Sequence, residues 1–200
     1  MRQNFGAKPW LYPMPVLMIG TYNADGSANI MNSAWGGISE EREITICVDD
    51  SHKTAENLLQ RGAFTVSIGT ADMLVACDYV GITSGNQTPD KTVRAGFHGV
   101  KSAFVDAPCF EELPMALECR MVSYDTETCR LVGEIFNVSA DECVLTEGKI
   151  DPGKLRPITY DPVHHDYLVL GEAVGKAFSD GKKLKGEKAA AAERPQLFLQ

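Results

Sequence analysis

The chain has 200 residues, 44% of them hydrophobic and 23% charged, which is globular composition with enough length for one well-buried core. Its net charge of −8 disfavours nucleic acid, whose binding calls for a basic face that displaces counterions, yet allows one phosphate in a locally positive pocket. No apolar run of about 18 residues stands ready to cross a membrane. Residues 1–30 hold Pro13, Pro15 and Asp25 and lack the apolar block of a secretory leader, so a cytoplasmic protein is expected.

Short apolar runs separated by turn residues dominate the chain. Pro15 to Tyr22 is one run, Asn23-Ala24-Asp25-Gly26 is a turn, and Ser27 to Met31 resumes; Asp-Gly between such runs predicts a hairpin. Ile44, Ile46 and Val48 alternate with Thr45 and Cys47, as in a half-buried strand. Ala55, Leu58 and Leu59 on one side predict a helix over Thr54–Arg61, stopped by Gly62. Phe64, Val66 and Ile68 repeat the strand alternation. A second helix is expected over Thr70–Val80, with Thr70 as cap and Asp72 in the first turn, and a short third near Pro89-Asp90-Lys91. Leu117–Val122 and Leu131–Val138 make two further strands around a turn at Asp125–Thr128.

Strands that outnumber helices, without alternating regularly with them, predict a mainly β fold: a closed antiparallel barrel with a few packed helices. The composition then changes. Lys182 to Lys188 is lysine-rich and Ala189 to Ala192 is an alanine run, so one domain over 1–185 and a flexible tail over 186–200 are expected. The apolar Leu197-Phe198-Leu199 leaves open docking on a partner subunit.

Three segments carry candidate chemistry. In Asp49-Asp50-Ser51-His52-Lys53-Thr54 a strand gives way to a helix, whose free N–H groups and dipole favour an anion. Lys53 and the hydroxyls of Ser51 and Thr54 are donors suited to phosphate oxygens, with simple capping by Ser51 or Asp50 as the alternative. Asn32-Ser33-Ala34-Trp35-Gly36-Gly37 joins small residues to an aromatic, which lets a flat ligand approach backbone; an ordinary turn is the alternative. Gly81-Ile82-Thr83-Ser84-Gly85 is followed by Asp90-Lys91, where Lys91 is either a second positive charge or a solvated helix residue. The six cysteines include no C-x-x-C, so buried, reduced thiols and no zinc site are expected. His164-His165 lacks supporting ligands, which argues against a metal, and His98 offers no acid–base pairing with the carboxylates. No G-x-G-x-x-G follows a strand, so no dinucleotide domain is expected.

The order of these segments resembles the flavin reductase-like proteins of the FMN-binding split-barrel superfamily, especially the flavoredoxin branch. The stretches that carry the resemblance are Pro13-Met14-Pro15-Val16 with the hairpin through Trp35, His52-Lys53-Thr54-Ala55-Glu56-Asn57, Phe64-Thr65-Val66-Ser67 and Gly81 to Lys91. Gly133-Glu134-Ile135, Arg156-Pro157-Ile158-Thr159-Tyr160 and Tyr167 through Phe178 complete it. The resemblance implies a homodimer of six-stranded antiparallel split barrels with FMN near the subunit interface. It places the phosphate by Ser51, His52, Lys53, Thr54 and Lys91, the isoalloxazine against Asn32, Ser33, Ala34 and Trp35, and Tyr160 or Tyr167 over the ring. The implied function is an NAD(P)H-dependent flavin reductase in which NADH or NADPH docks transiently, the flavin does the chemistry and no side chain is catalytic. A flavoredoxin-type carrier passing electrons between redox proteins is the alternative, and a simple binder of a phosphorylated ligand is a third reading.

Overall fold

The computed structural model describes residues 1–185, so the tail expected at 186–200 lies outside the described residues. Contacts divide the chain into Met1–Leu170 and a second unit from Gly171. In the second unit, the Asp180 carboxylate accepts the Lys176 N–H at 2.6 Å and pairs with Lys183 at 2.9 Å around a 3-10 turn, Asp180–Lys182.

The first unit is mainly β. Its strands are β1 (Met14–Pro15), β2 (Leu17–Tyr22), β3 (Ala28–Ser33), β4 (Gly36–Glu40), β5 (Glu43–Cys47), β6 (Ala63–Ile68) and β7 (Gly99–Lys101). They continue as β8 (Pro108–Phe110), β9 (Met115–Asp125), β10 (Arg130–Ala140), β11 (Leu145–Thr146), β12 (Lys149–Ile150), β13 (Ile158–Tyr160) and β14 (Tyr167–Val169). The helices are α1 (Lys53–Arg61), α2 (Leu74–Ile82), α3 (Lys91–Arg94) and α4 (Pro152–Leu155). An antiparallel sheet in the order β3-β2-β6-β9-β10-β5-β4 curls into a half-barrel, the split-barrel fold, with seven strands where six were expected. The extra edge strand is β4, which forms from part of the segment expected to be a turn. Gly36 permits it: a Cβ there would stand 2.8 Å from the Thr45 carbonyl oxygen on β5.

Local chemistry explains the elements nearest the site. The Asp25 carboxylate accepts the Ser27 N–H at 2.9 Å and Gly26 takes φ 85°, which turns the β2–β3 hairpin. Helix α1 ends where Gly62 adopts a left-handed φ of 63° and returns its N–H to the Leu58 oxygen at 2.8 Å. The start of α1 departs from expectation. His52 is the cap residue and makes no side-chain cap bond, because the Asp49 carboxylate instead accepts the Ser51 N–H at 3.0 Å. Leu59, expected on the buried side, is 59% exposed, and only Ala55 and Leu58 reach the core. The second helix also starts later. Residues Ala71–Met73 form a 3-10 turn before α2, with Thr70 at the cap position of that turn but making no side-chain cap bond, and the Thr70 backbone bridges to Pro157.

Strand β2 is buried on both faces, and its alternation feeds two cores. Leu17 and Ile19 point into the half-barrel with Ile46, Leu58, Phe64, Val66 and Leu131, while Val16 and Met18 pack with Ile30, Cys77, Val80, Phe97 and Phe110 beneath α2. Gly133 on β10 is required by the first core, since a Cβ would fall 2.3 Å from the Phe64 ring. The cysteines are all free, but only Cys77 and Cys119 are buried, where burial pushes their thiols up to about 11 and about 12. Cys47 and Cys143 are exposed, because they fall on outward positions of a strand end and a 3-10 turn. The reading of His98 needs correction as well: its Nδ1 meets the Glu112 carboxylate, a contact between residues 14 apart that the fold alone creates. Among the described residues no helix is long and apolar enough to cross a membrane.

Candidate anion and cofactor site

A cavity of about 230 Å³ opens where the starts and ends of three helices meet strand β3. Asn29, Met31 and Asn32 line it from β3, His52, Lys53 and Thr54 from the start of α1, Val80 to Gly85 from the end of α2, and Lys91 from α3. Segments far apart in sequence thus share one space. Its walls touch backbone closely: a Cβ on Gly85 would lie 2.9 Å from Asn29 Oδ1, and one on Gly81 3.1 Å from Asn32 Cβ.

The start of α1 supplies the donors. The N–H groups of Ala55 and Glu56 both turn back to the His52 oxygen, at 3.0 and 3.4 Å, whereas those of Lys53 and Thr54 open the helix where no earlier turn can reach them. Thr54 is buried, and its Oγ1 accepts the Asn29 amide at 3.0 Å, which leaves its own O–H proton to donate. Lys53 Nζ lies 2.8 Å from Glu56 Oε1, and Lys53 is among the residues that line the cavity. The Ser51 hydroxyl is committed elsewhere, to the Asp49 carboxylate, and Ser51 does not line the cavity.

A buried polar network holds this helix start in place. Asn57 on α1 donates to Thr21 Oγ1 at 3.0 Å and Asn23 Oδ1 at 2.9 Å, and Asn29 reaches Thr21 at 3.3 Å as well as Thr54. Asn29 carried no expectation from the sequence, and Asn57 entered only as the last residue of the His52–Asn57 stretch, without a role. Their signal was present, as amides at inward positions of an apolar strand and of a helix's buried side, where an unpaired polar group is costly.

Lys91 is neither solvated nor free. It is 3% exposed, and its Nζ donates to the Val80 oxygen at 2.9 Å and the Thr83 oxygen at 2.8 Å. Burial disfavours its charged form and brings the pKa down to about 8.

The segment expected to hold a ring divides. Asn32 lines the cavity and donates to the Cys77 oxygen at 3.2 Å. Ser33 is buried, with Oγ accepting the Trp35 N–H at 3.3 Å, Ala34 is half-buried, and Trp35 is 51% exposed; none of the three lines the cavity. Tyr160 and Tyr167 oppose each other on β13 and β14 with ring centroids 6.2 Å apart, also outside the lining. Tyr167 donates to Asp78 Oδ1 at 2.8 Å, and burial with that carboxylate pushes it up to about 12, partly offset by the Asn32 amide. Tyr160 Oη and His165 Nδ1 lie 2.6 Å apart.

A split barrel with a cavity at a helix start describes the class of protein. The chain belongs to the flavin reductase like domain family, whose model matches residues 10–164. It is similar to the flavoredoxin of Desulfovibrio vulgaris (Miyazaki F), with 36% identity over 90% of this chain and 100% of that one and a TM-score of 0.86. Likeness to the flavoredoxin from Methanosarcina acetivorans is 28% in identity over 92% of this chain and 99% of that one, with a TM-score of 0.82. Nitrilotriacetate monooxygenase component B from Bacillus cereus, 18% identical over 88% of this chain and 100% of that one, shares the fold at a TM-score of 0.74. A search of the curated proteins returns no significant match.

Proposed function

We propose that this chain binds FMN, with its phosphate received by the Lys53 and Thr54 N–H groups, the Thr54 hydroxyl and the Lys53 ammonium. The observation that carries this reading is the convergence of the α1 start, a glycine-walled loop and a buried lysine on one cavity in a member of this family. When bound, the isoalloxazine supplies hydride and electron transfer. The chain's residues would bind and orient it: Asn32, anchored on the Cys77 oxygen, would hold the ring from the cavity wall, with the backbone of Ser33, Ala34 and Trp35 as the adjoining segment. Tyr167, fixed by Asp78, is the tyrosine we assign as a neighbour for the ring, because the Asn32 amide that lines the cavity also acts on its hydroxyl.

Two readings differ in the electron donor. An NAD(P)H-dependent flavin reductase, with NADH or NADPH docking transiently, follows from the family. A flavoredoxin-type electron carrier is favoured by the likeness to two flavoredoxins over nine-tenths or more of the chain. In either case a cytoplasmic homodimer is the assembly we infer. An apolar groove of about 740 Å³ lined by Leu17, Ile38, Ile44, Met115, Leu117 and Val138, with Glu41 and Arg42 at its rim, suits a second copy of the chain. With both signs of charge beside the apolar lining, the patch can be complementary to itself across a two-fold axis.

An absorption spectrum of the purified protein, before and after anaerobic NADH, tests the reading. Flavin bands that bleach with NADH mark a reductase, and bands that persist until dithionite mark a carrier. A colourless protein that takes up no FMN on titration overturns both.

A further inference from the structure

Helix α2 delivers its C-terminal turn to the wall of the cavity. A helix end exposes free carbonyls and about half a negative charge of the macrodipole. Left bare, that wall repels the same phosphate that the start of α1 attracts. Lys91 lies on it, with Nζ 2.9 Å from the Val80 oxygen and 2.8 Å from the Thr83 oxygen, and it lines the same cavity. An ammonium has three protons, so one remains for a ligand.

We propose, resting on the phosphate site argued above, that Lys91 is a positioning and charge-reversing residue. It fastens the α2 terminus as a cavity wall and converts its negative end into one that accepts an anion. The cavity then favours phosphorylated over unphosphorylated flavin most strongly while Lys91 keeps its proton.

That condition fails just above neutral pH, since burial holds Lys91 at about 8. The other titratable groups on the elements packed around it are His52 at the cap of α1 with Lys53, its partner Glu56 and Arg61 on that helix, Cys77, Asp78 and Tyr79 on α2, and Arg94 on α3 with its partner Asp90 at 2.8 Å; β3 carries none. A phosphate monoester loses its second proton near pH 6, so above about pH 7.5 its own charge is constant. Bound phosphate favours the protonated lysine, and by linkage its affinity falls as pH rises through the Lys91 value. One linked proton sets the limit at about tenfold per pH unit.

The test titrates the native protein, Lys91→Arg and Lys91→Met with FMN and with riboflavin between about pH 7 and 9, following flavin fluorescence, with far-ultraviolet dichroism to confirm folding. The native protein should lose FMN affinity by up to about tenfold per pH unit while riboflavin affinity stays flat. Lys91→Arg should bind FMN without that pH dependence, and Lys91→Met should bind it more than tenfold more weakly at pH 7. Native-like FMN affinity and slope in Lys91→Met would overturn the inference and leave the FMN reading standing. The native protein alone gives a second measurement: lysine side-chain NMR with inorganic phosphate as the probe. A Lys91 pKa raised by phosphate supports the inference even if no flavin binds, in which case only the FMN reading fails. An unmoved Lys91 pKa with phosphate at saturation overturns it.

Discussion

The two concavities on this half-barrel are closed in opposite ways. The cavity at α1 and α2 is small, about 230 Å³, and is bounded by helix ends, amides and two lysines. The groove across β2, β4, β5, β6, β9 and β10 is larger, about 740 Å³, and every residue lining it comes from a strand or a short strand connection. Helix α1 fills the half-barrel interior at one end with Ala55 and Leu58, and no helix contributes to the groove at the other. A sheet face covered by helices inside the chain acquires polar helix termini and hence a place for a charged ligand. A face left to strands is apolar and calls for another surface to cover it.

The largest effect expected is one that removes both regions together. Phe64 is fully buried in the core that also holds Met31 of the cavity and Leu17, Ile44 and Leu117 of the groove, and it bounds the space at Gly133, so Phe64→Ala should cost about 3–5 kcal/mol, read from urea unfolding. A loss below about 1 kcal/mol would show that the two regions do not share a core. Next comes the groove. Ile38 is 63% exposed and Val138 49%, so lysines at both positions should convert a dimer into a folded monomer by light scattering. An unchanged mass would place the interface elsewhere. On the cavity side, Lys53→Ala with Thr54→Ala should weaken FMN binding more than tenfold, about 1.4 kcal/mol or above, without changing that mass. An unchanged dissociation constant would remove the phosphate assignment.

The smallest effect is in pH. The folded value of Lys91, about 8, lies below the ordinary 10.5, so the unfolded chain binds this proton more tightly. The charged lysine therefore opposes folding fully below pH 8, and stability from this group rises as pH climbs toward 10.5. With solvent screening the gain should be about 1–2 kcal/mol. Urea midpoints measured across that range should climb in the native protein and lose this component in Lys91→Met. Stability and phosphate affinity thus move in opposite directions at one residue, which separates a clamp from an ordinary buried lysine.

Much of the frame was legible in the chain. Asp25-Gly26 declares the hairpin, Gly62 the end of α1, and alternating Ile44–Val48 and Phe64–Ile68 the strands, because turn chemistry and periodicity act within a few residues. The α1 donors at Lys53 and Thr54 were legible for the same reason. Ser51 was open between a ligand donor and a partner for a neighbouring carboxylate, and the structure gives its hydroxyl to Asp49. Leu59 misled because helical spacing allows a wider apolar stripe than the core uses. Trp35 and the tyrosines were expected at the ring from the family resemblance, and their place outside the cavity lining follows from where β4, β13 and β14 pair.

What the sequence determined by itself was the set of local conformations: which runs extend, where they turn, and which residues open a helix with unpaired N–H groups. Family resemblance extended this to the fold, with β4 missed because its glycines read as a loop. Only the tertiary structure decided which ends meet. It took the end of α2, the start of α1 and a lysine from a four-residue helix to one cavity, and it buried that lysine on carbonyls 11 and 8 residues away. Burial and the sign of a local field are sums over neighbours brought together by packing, and no local pattern of residue types contains that sum.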